Sequence, residues 1–192
     1  MTGDPRWKAL DAAALQGIDS GVATRARNIE LAVFDVDGVM TDGRLYLSDS
    51  GEETKAFHSR DGQGMKMLQA SGVRIAIITG RTSRVVEMRA RNLDVAHLFQ
   101  GVEDKKATFD ELLKTLGLEA EQAGYMGDDL VDLPVLSRCG FAVSVPEAPA
   151  FVRHHAHYVT RQPGGQGAVR EFCEIVMAAR GMLGERMSAW LS

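Results

Sequence analysis

Four short segments of this 192-residue chain carry side chains that chemistry can use. The acidic turn DVDG holds Asp35 and Asp37, TGR holds Thr79 and Arg81, DK is Asp104 and Lys105, and GDDLVD holds Asp128, Asp129 and Asp132. Carboxylates gathered at one point repel one another, and a divalent cation relieves that repulsion. Magnesium suits hard oxygen ligands and leaves room in its shell for waters and a phosphate.

A carboxylate beside such a cation points to phosphoryl transfer. Phosphate monoesters are among the slowest species to hydrolyse unaided, with enzymatic accelerations of up to about 10²¹. Attack by Asp35 on phosphorus splits that reaction into two steps through an aspartyl-phosphate. Asp37 stands where it can protonate the leaving alkoxide and then deprotonate the attacking water. Lys105 offers a cation to the phosphoryl oxygens, with Lys106 the neighbouring alternative. A lone DxD is a common solvated turn. Its standing here comes from the Thr, Lys and GDDxxD signals that follow in order.

The elements that must position these residues alternate between two periods. Ile29 to Val36 is a short apolar run of the kind that forms a parallel strand buried on both faces, and it ends in DVDG. Val73 to Ile78 is a second such run. TSRVVEMRARNL follows with helical spacing and Thr82 or Ser83 as N-cap. A third strand ends at Gly127 to Asp129. Lys106 to Leu116 sets Phe109, Leu112, Leu113 and Leu116 on one helical face, and Val131 to Arg138 reads as a further helix. Strands alternating with helices predict an α/β fold, a doubly wound, Rossmann-like parallel sheet with its ligand site beyond the carboxyl ends of the strands.

Residues 44 to 58 break the alternation as a predicted β-hairpin turning at Ser48 to Gly51, and RQPGGQGAVRE predicts a flexible glycine-rich loop before a helix from Ala168 to Met182. The expected layout is an N-terminal extension over 1–28, partly helical or poorly ordered, a catalytic domain over 29–182, and a tail over 183–192. The stretches from Arg44 to His58 and from Lys105 to Gly127 are too short for a separate lid, so no cap domain is expected.

With these motifs in place the chain resembles the haloacid-dehalogenase-like phosphatase superfamily. That resemblance implies Asp35 as nucleophile, Asp37 as acid and base and as a backbone carbonyl ligand, and Asp128 as the carboxylate that completes the magnesium site, with Thr79 and Lys105 on the phosphoryl group. Asp129 and Asp132 are expected to support the metal through water or to orient Lys105. The hairpin, RDGQG at Arg60 to Gly64 and GGQGAVRE at Gly164 to Glu171 resemble the capless subfamily that acts on eight-carbon acid sugar phosphates in lipopolysaccharide synthesis. The resemblance implies a homotetramer with a pocket shared between subunits. It also implies sugar-phosphate contacts from His58, Ser59, Arg60, Asp61, Gly62, Lys66, Arg81, Arg89, Lys105 and Asp37, and Arg170 is expected near the substrate. A phosphatase of nine-carbon acid sugars is the related alternative. A phospho-accepting receiver domain is the alternative from another class, though its acidic pair follows the first strand and its acceptor a later one.

Composition excludes several other classes. A net charge of -4 with interspersed signs gives no nucleic-acid footprint. No segment has the apolar length of a membrane span or signal peptide, which predicts a cytoplasmic protein. Cys139 and Cys173 stand far apart and are expected to be buried thiols. His154, His155 and His157 lack a carboxylate or cysteine at ligand spacing and are expected on the surface.

Overall fold

A computed structural model describes residues 5–191. The chain opens with α1 (Pro5–Ala14) and α2 (Ser20–Arg27), and then β1 (Leu31–Phe34) enters the interior. The hairpin strands β2 (Tyr46–Leu47) and β3 (Glu53–Thr54) precede α3 (Ser59–Ala70), β4 (Arg74–Ile78), α4 (Arg84–Asn92), β5 (His97–Phe99) and α5 (Lys105–Leu116). Then come β6 (Ala123–Met126), α6 (Leu133–Leu136), β7 (Phe141–Ser144), α7 (Ala150–His154), β8 (Tyr158–Val159), α8 (Ala168–Ala179) and α9 (Leu183–Ser188).

The six longer-range strands form one parallel sheet in the order β5-β4-β1-β6-β7-β8. β1 therefore lies between β4 and β6. All four of its residues are buried, as the continuous apolar run predicts. The three expected strand-end signals follow adjacent strands, and the chain leaves β1 in opposite directions at this point, which opens a crevice beyond the carboxyl ends. The hairpin pairs Tyr46 with Thr54 and Leu47 with Glu53 and stands outside the main sheet.

Helices cover both faces. Phe172 of α8 meets Phe34 edge-on at 5.2 Å and stacks on Phe141 at 5.4 Å, binding β1 and β7 to one helix. α3 carries Asp61, Gly62 and Gly64, residues of low helix propensity, in its first two turns. A Cβ at Gly64 would sit 2.8 Å from Arg170 Cδ and 3.1 Å from its Cα. The glycine thus lets α3 lie close against α8, and burial of Met65, Met67 and Leu68 outweighs its low helix propensity.

α1 and α9 pack together. Gly184 of α9 donates its amide to Asp11 of α1 at 3.1 Å, and Arg27 Nε of α2 donates to the Ala179 carbonyl of α8 at 3.0 Å. Among the described residues no helix is long and apolar enough to cross a membrane.

Candidate active site

The carboxyl ends of β1, β4 and β6 surround a cavity of about 310 Å³ whose lining includes Asp35, Asp37, Thr79, Arg81, Lys105 and Asp128. Asp35 follows β1 and is buried. Its Oδ1 accepts the Val36 amide at 2.7 Å, and its Oδ2 lies 2.9 Å from Lys105 Nζ. Lys105 reaches this point as the first residue of α5, whose start is capped by Asp104 accepting the Ala107 amide at 2.9 Å. Thr79 is buried at the end of β4, where its amide donates to the Phe99 carbonyl at 3.0 Å.

GDDLVD folds back on itself around Asp132. Asp132 Oδ2 accepts the amides of Asp128 at 3.0 Å and Asp129 at 3.1 Å. Asp132 Oδ1 accepts Lys105 Nζ and the Tyr125 hydroxyl, each at 2.7 Å. With four donors on two oxygens, Asp132 orients the loop and the lysine. Asp129 lines the cavity as well and caps the next turn by accepting the Leu130 amide at 2.7 Å. Tyr125, buried on β6, was not anticipated from sequence, because an aromatic in an apolar strand reads as core.

Oxygens of Asp35, Asp128 and Asp132 gather within 4.8 Å of one another. Burial, with the charges of Asp35, Asp132 and Asp129, pushes the Asp128 carboxyl up to about 8. Burial and the Asp132 charge likewise push Asp35 up, against the pull of Lys105. Burial works against the charge of Lys105 too, but Asp35 and Asp132 hold it above its ordinary value. The chain's own atoms thus leave the cluster short of positive charge, and a hard divalent cation fits that deficit and this donor set. Asp35 and Asp128 are the carboxylates with capacity to hold it. The Asp37 side chain does not join the cluster, in keeping with an expectation that named only its backbone carbonyl as a ligand. Gly38 makes the approach possible: it takes φ of +88°, and a Cβ there would sit 2.1 Å from Asp128 Oδ2.

Asp37 faces a basic group that sequence reasoning missed. Lys55, just after β3, bonds to Asp37 Oδ1 and lies 3.3 Å from Glu53 Oε1. Glu53 in turn accepts Arg81 Nη2 at 3.0 Å. A lysine after a hairpin strand ordinarily reads as solvated, and nothing in the local spacing marks Lys55 otherwise.

The remaining expected substrate contacts do not line this cavity. His58 sits at the N-cap of α3, Ser59 and Arg60 are exposed, and Gly62 is buried against Arg89, whose Nη2 donates to the His58 carbonyl at 3.3 Å. Lys66 pairs with Asp94 at 3.7 Å. Arg170 pairs with Glu174 at 2.6 Å, and its amide donates to buried Asp61 Oδ1 at 2.8 Å. Asp61 thereby ties α3 to the first turn of α8. The loop expected to be free is instead packed on the catalytic turn: Gly165 donates its amide to the Val39 carbonyl at 2.9 Å, and a Cβ on Gly164 would sit 1.8 Å from the Gly38 oxygen.

The two thiols sit in the core as expected, and two of the three histidines sit on the surface as expected, His157 being the exception. Cys139 and Cys173 are free and buried, and burial pushes the Cys139 thiol up to about 12. His154 and His155 lie exposed, His155 against Phe151 and His154 against His155, whereas half-buried His157 accepts the Ala142 amide through Nδ1 at 2.9 Å.

Residues 99–172 match the haloacid dehalogenase-like hydrolase family. The 3-deoxy-D-manno-octulosonate 8-phosphate phosphatase KdsC of Yersinia pestis is 48% identical over 162 residues, 84% of this chain and 87% of the relative. The protein of the same name from Escherichia coli K12 is 44% identical over 168 residues, 88% and 89% of the two chains. The solved 3-deoxy-D-manno-octulosonate 8-phosphate phosphatase of Moraxella catarrhalis, in complex with magnesium, phosphate and KDO, superposes with a TM-score of 0.87 at 40% identity, covering 88% of this chain and 97% of that one.

Proposed function

This chain belongs to the 3-deoxy-D-manno-octulosonate 8-phosphate phosphatase family of haloacid dehalogenase-like hydrolases, and on that premise we propose how its residues divide the reaction. The activity is hydrolysis of the 8-phosphate ester to the free acid sugar and phosphate, with magnesium as cofactor. The observation that carries the assignment of roles is the 2.9 Å approach of Lys105 Nζ to Asp35 Oδ2 at the floor of the cavity.

Asp35 attacks phosphorus and becomes the aspartyl-phosphate. Lys105, held by Asp132, balances charge on the nucleophile and on the incoming phosphoryl oxygens. Thr79 lines the same wall and hydrogen-bonds the transferring group. Asp37 gives its proton to the departing sugar alkoxide, then takes one from the water that hydrolyses the aspartyl-phosphate. Asp35, Asp128 and the Asp37 carbonyl would hold magnesium, which when bound would supply charge screening between the nucleophile and the phosphate.

We extend the proposal to assembly. His58, Ser59, Arg60, Lys66, Arg89 and Arg170 do not line the cavity of their own chain, and Leu45 and Leu47 of the hairpin are 50% and 63% exposed. Both observations support a homotetramer in which these polar groups complete a neighbour's pocket. Two free buried thiols and a phosphorylated sugar substrate support a cytoplasmic place of work in lipopolysaccharide synthesis.

A phosphate-release screen over eight- and nine-carbon acid sugar phosphates with magnesium, using Asp35→Asn as the inactive control, tests the function. Selective release from the eight-carbon ester is expected; preference for the nine-carbon ester would overturn the substrate and leave the roles standing. Stable labelling by acetyl phosphate without turnover would instead indicate a receiver. Light scattering tests the assembly, and a fully active monomer would remove the shared pocket.

A further inference from the structure

The contact between Lys55 and Asp37 assigns a job to the hairpin that its sequence does not announce. Lys55 has a side chain only 1% exposed, and its ammonium is taken up by Asp37 Oδ1 and by Glu53 Oε1 at 3.3 Å. A lysine desolvated to that degree stays charged only where its partners compensate the lost water. It has little surface left to offer a substrate. The other oxygen of the same carboxylate, Asp37 Oδ2, is buried and has no hydrogen-bond partner among the described residues; Arg81 Nε lies 3.8 Å away. An unpartnered buried carboxylate oxygen at the edge of a reaction cavity calls for a reason.

We propose that Lys55 is a positioning residue: by holding Oδ1 it fixes the Asp37 side chain and assigns proton transfer to Oδ2. The inference rests on the acid and base role given to Asp37 above. While the phosphorus–oxygen bond to the sugar breaks and the bond to Asp35 forms, the proton on Asp37 Oδ2 passes to the departing alkoxide. In the second step water forms the new bond to phosphorus, its proton returns to Oδ2, and Asp35 leaves as carboxylate. Oδ1 is the weaker base of the two, because it already accepts the Lys55 ammonium. Glu53 holds Lys55 from the other side and through Arg81 links it to the TGR segment, so one chain of charges ties the hairpin to two strand ends.

Leaving-group dependence tests this. The ratio kcat/KM covers the steps through loss of the leaving group, and p-nitrophenolate departs without a proton whereas a sugar alkoxide does not. Lys55→Met is expected to lower kcat/KM for 3-deoxy-D-manno-octulosonate 8-phosphate on the order of tenfold to a hundredfold, and for p-nitrophenyl phosphate by less than about threefold. In an Asp37→Asn background the same substitution should add no further loss on the sugar phosphate. Circular dichroism and a thermal midpoint verify folding, and Lys55→Gln, nearly the same length and polar, takes the place of Lys55→Met if that variant does not fold. Equal losses on both substrates, or a rise in KM with kcat unchanged, would overturn the positioning role and leave Lys55 as a staple of the hairpin. A wild-type protein that hydrolyses neither ester would overturn the functional reading itself, a result separable from any behaviour of the variants.

Discussion

The Tyr125 hydroxyl donates to Asp132 Oδ1 at 2.7 Å, on the same oxygen that accepts Lys105. A buried phenol thus holds the far side of the carboxylate that aims the lysine at Asp35. Tyr125→Phe leaves the ring against Phe109, where the two meet edge-on at 6.3 Å, and removes one bond to a carboxylate that keeps three others. The expected cost is about 1 kcal/mol in chemical denaturation, together with a several-fold fall in kcat as Lys105 loses a restraint.

Asp128 makes the metal-free protein sensitive to pH in a defined direction. Its carboxyl rises from 3.8 to about 8 on folding, so the folded state binds the proton more tightly than the unfolded chain does. Stability is therefore full below the unfolded value and declines as pH rises through the folded one. Thermal midpoints measured in a chelator should fall between about pH 5 and pH 8, and added magnesium should raise them more at the upper end. Asp128→Asn, neutral and of the same shape, should melt higher than wild type in chelator near the upper end while releasing no phosphate. A gain from magnesium that is independent of pH would contradict this account.

Asp61 serves as a cap supplied by another helix. Asp61→Ala removes the acceptor for the Arg170 amide and should cost about 1 to 2 kcal/mol, whereas Asp61→Asn keeps an acceptor and should recover most of it. KM for the sugar phosphate should change little in the Asn variant. A large rise there would restore Asp61 to the substrate contacts.

Gly164 should tolerate no side chain. With a Cβ 1.8 Å from the Gly38 oxygen, Gly164→Ala forces the catalytic turn and the loop apart. Weaker magnesium binding by calorimetry and a fall in kcat are expected together, because Gly38 lies directly against Asp128.

Much of this site is legible in the sequence for a simple physical reason. Asp35, Thr79 and Asp128 each follow a short apolar run at a strand end, and a doubly wound sheet brings such ends together whatever the details of packing. Lys105 is legible through the DK pair, because Asp104 caps the helix that delivers it. Contacts made across the fold are not legible. α3 is hidden by Asp61, Gly62 and Gly64, whose turn-like character is overridden only by packing on α8 and Arg89. Lys55 and Tyr125 are hidden because their neighbours in sequence say nothing of Asp37 or Asp132. The predicted freedom of the glycine-rich loop fails for the same reason: its glycines serve close approach to the turn at Gly38 to Thr41.

The seating of Gly164 and Gly165 on that turn also bears on when the molecule becomes competent during synthesis. Asp35 to Asp42 are made early, but the surface that buttresses them is made more than a hundred residues later and is tied to α8 through Asp61 and Arg170. Contacts so distant in sequence close late. A nascent chain halted before Pro163 would carry every polar residue assigned to the chemistry, yet its catalytic turn would lack a backing, and it should release no phosphate. Activity in this phosphatase would then report that the chain has been finished as well as folded.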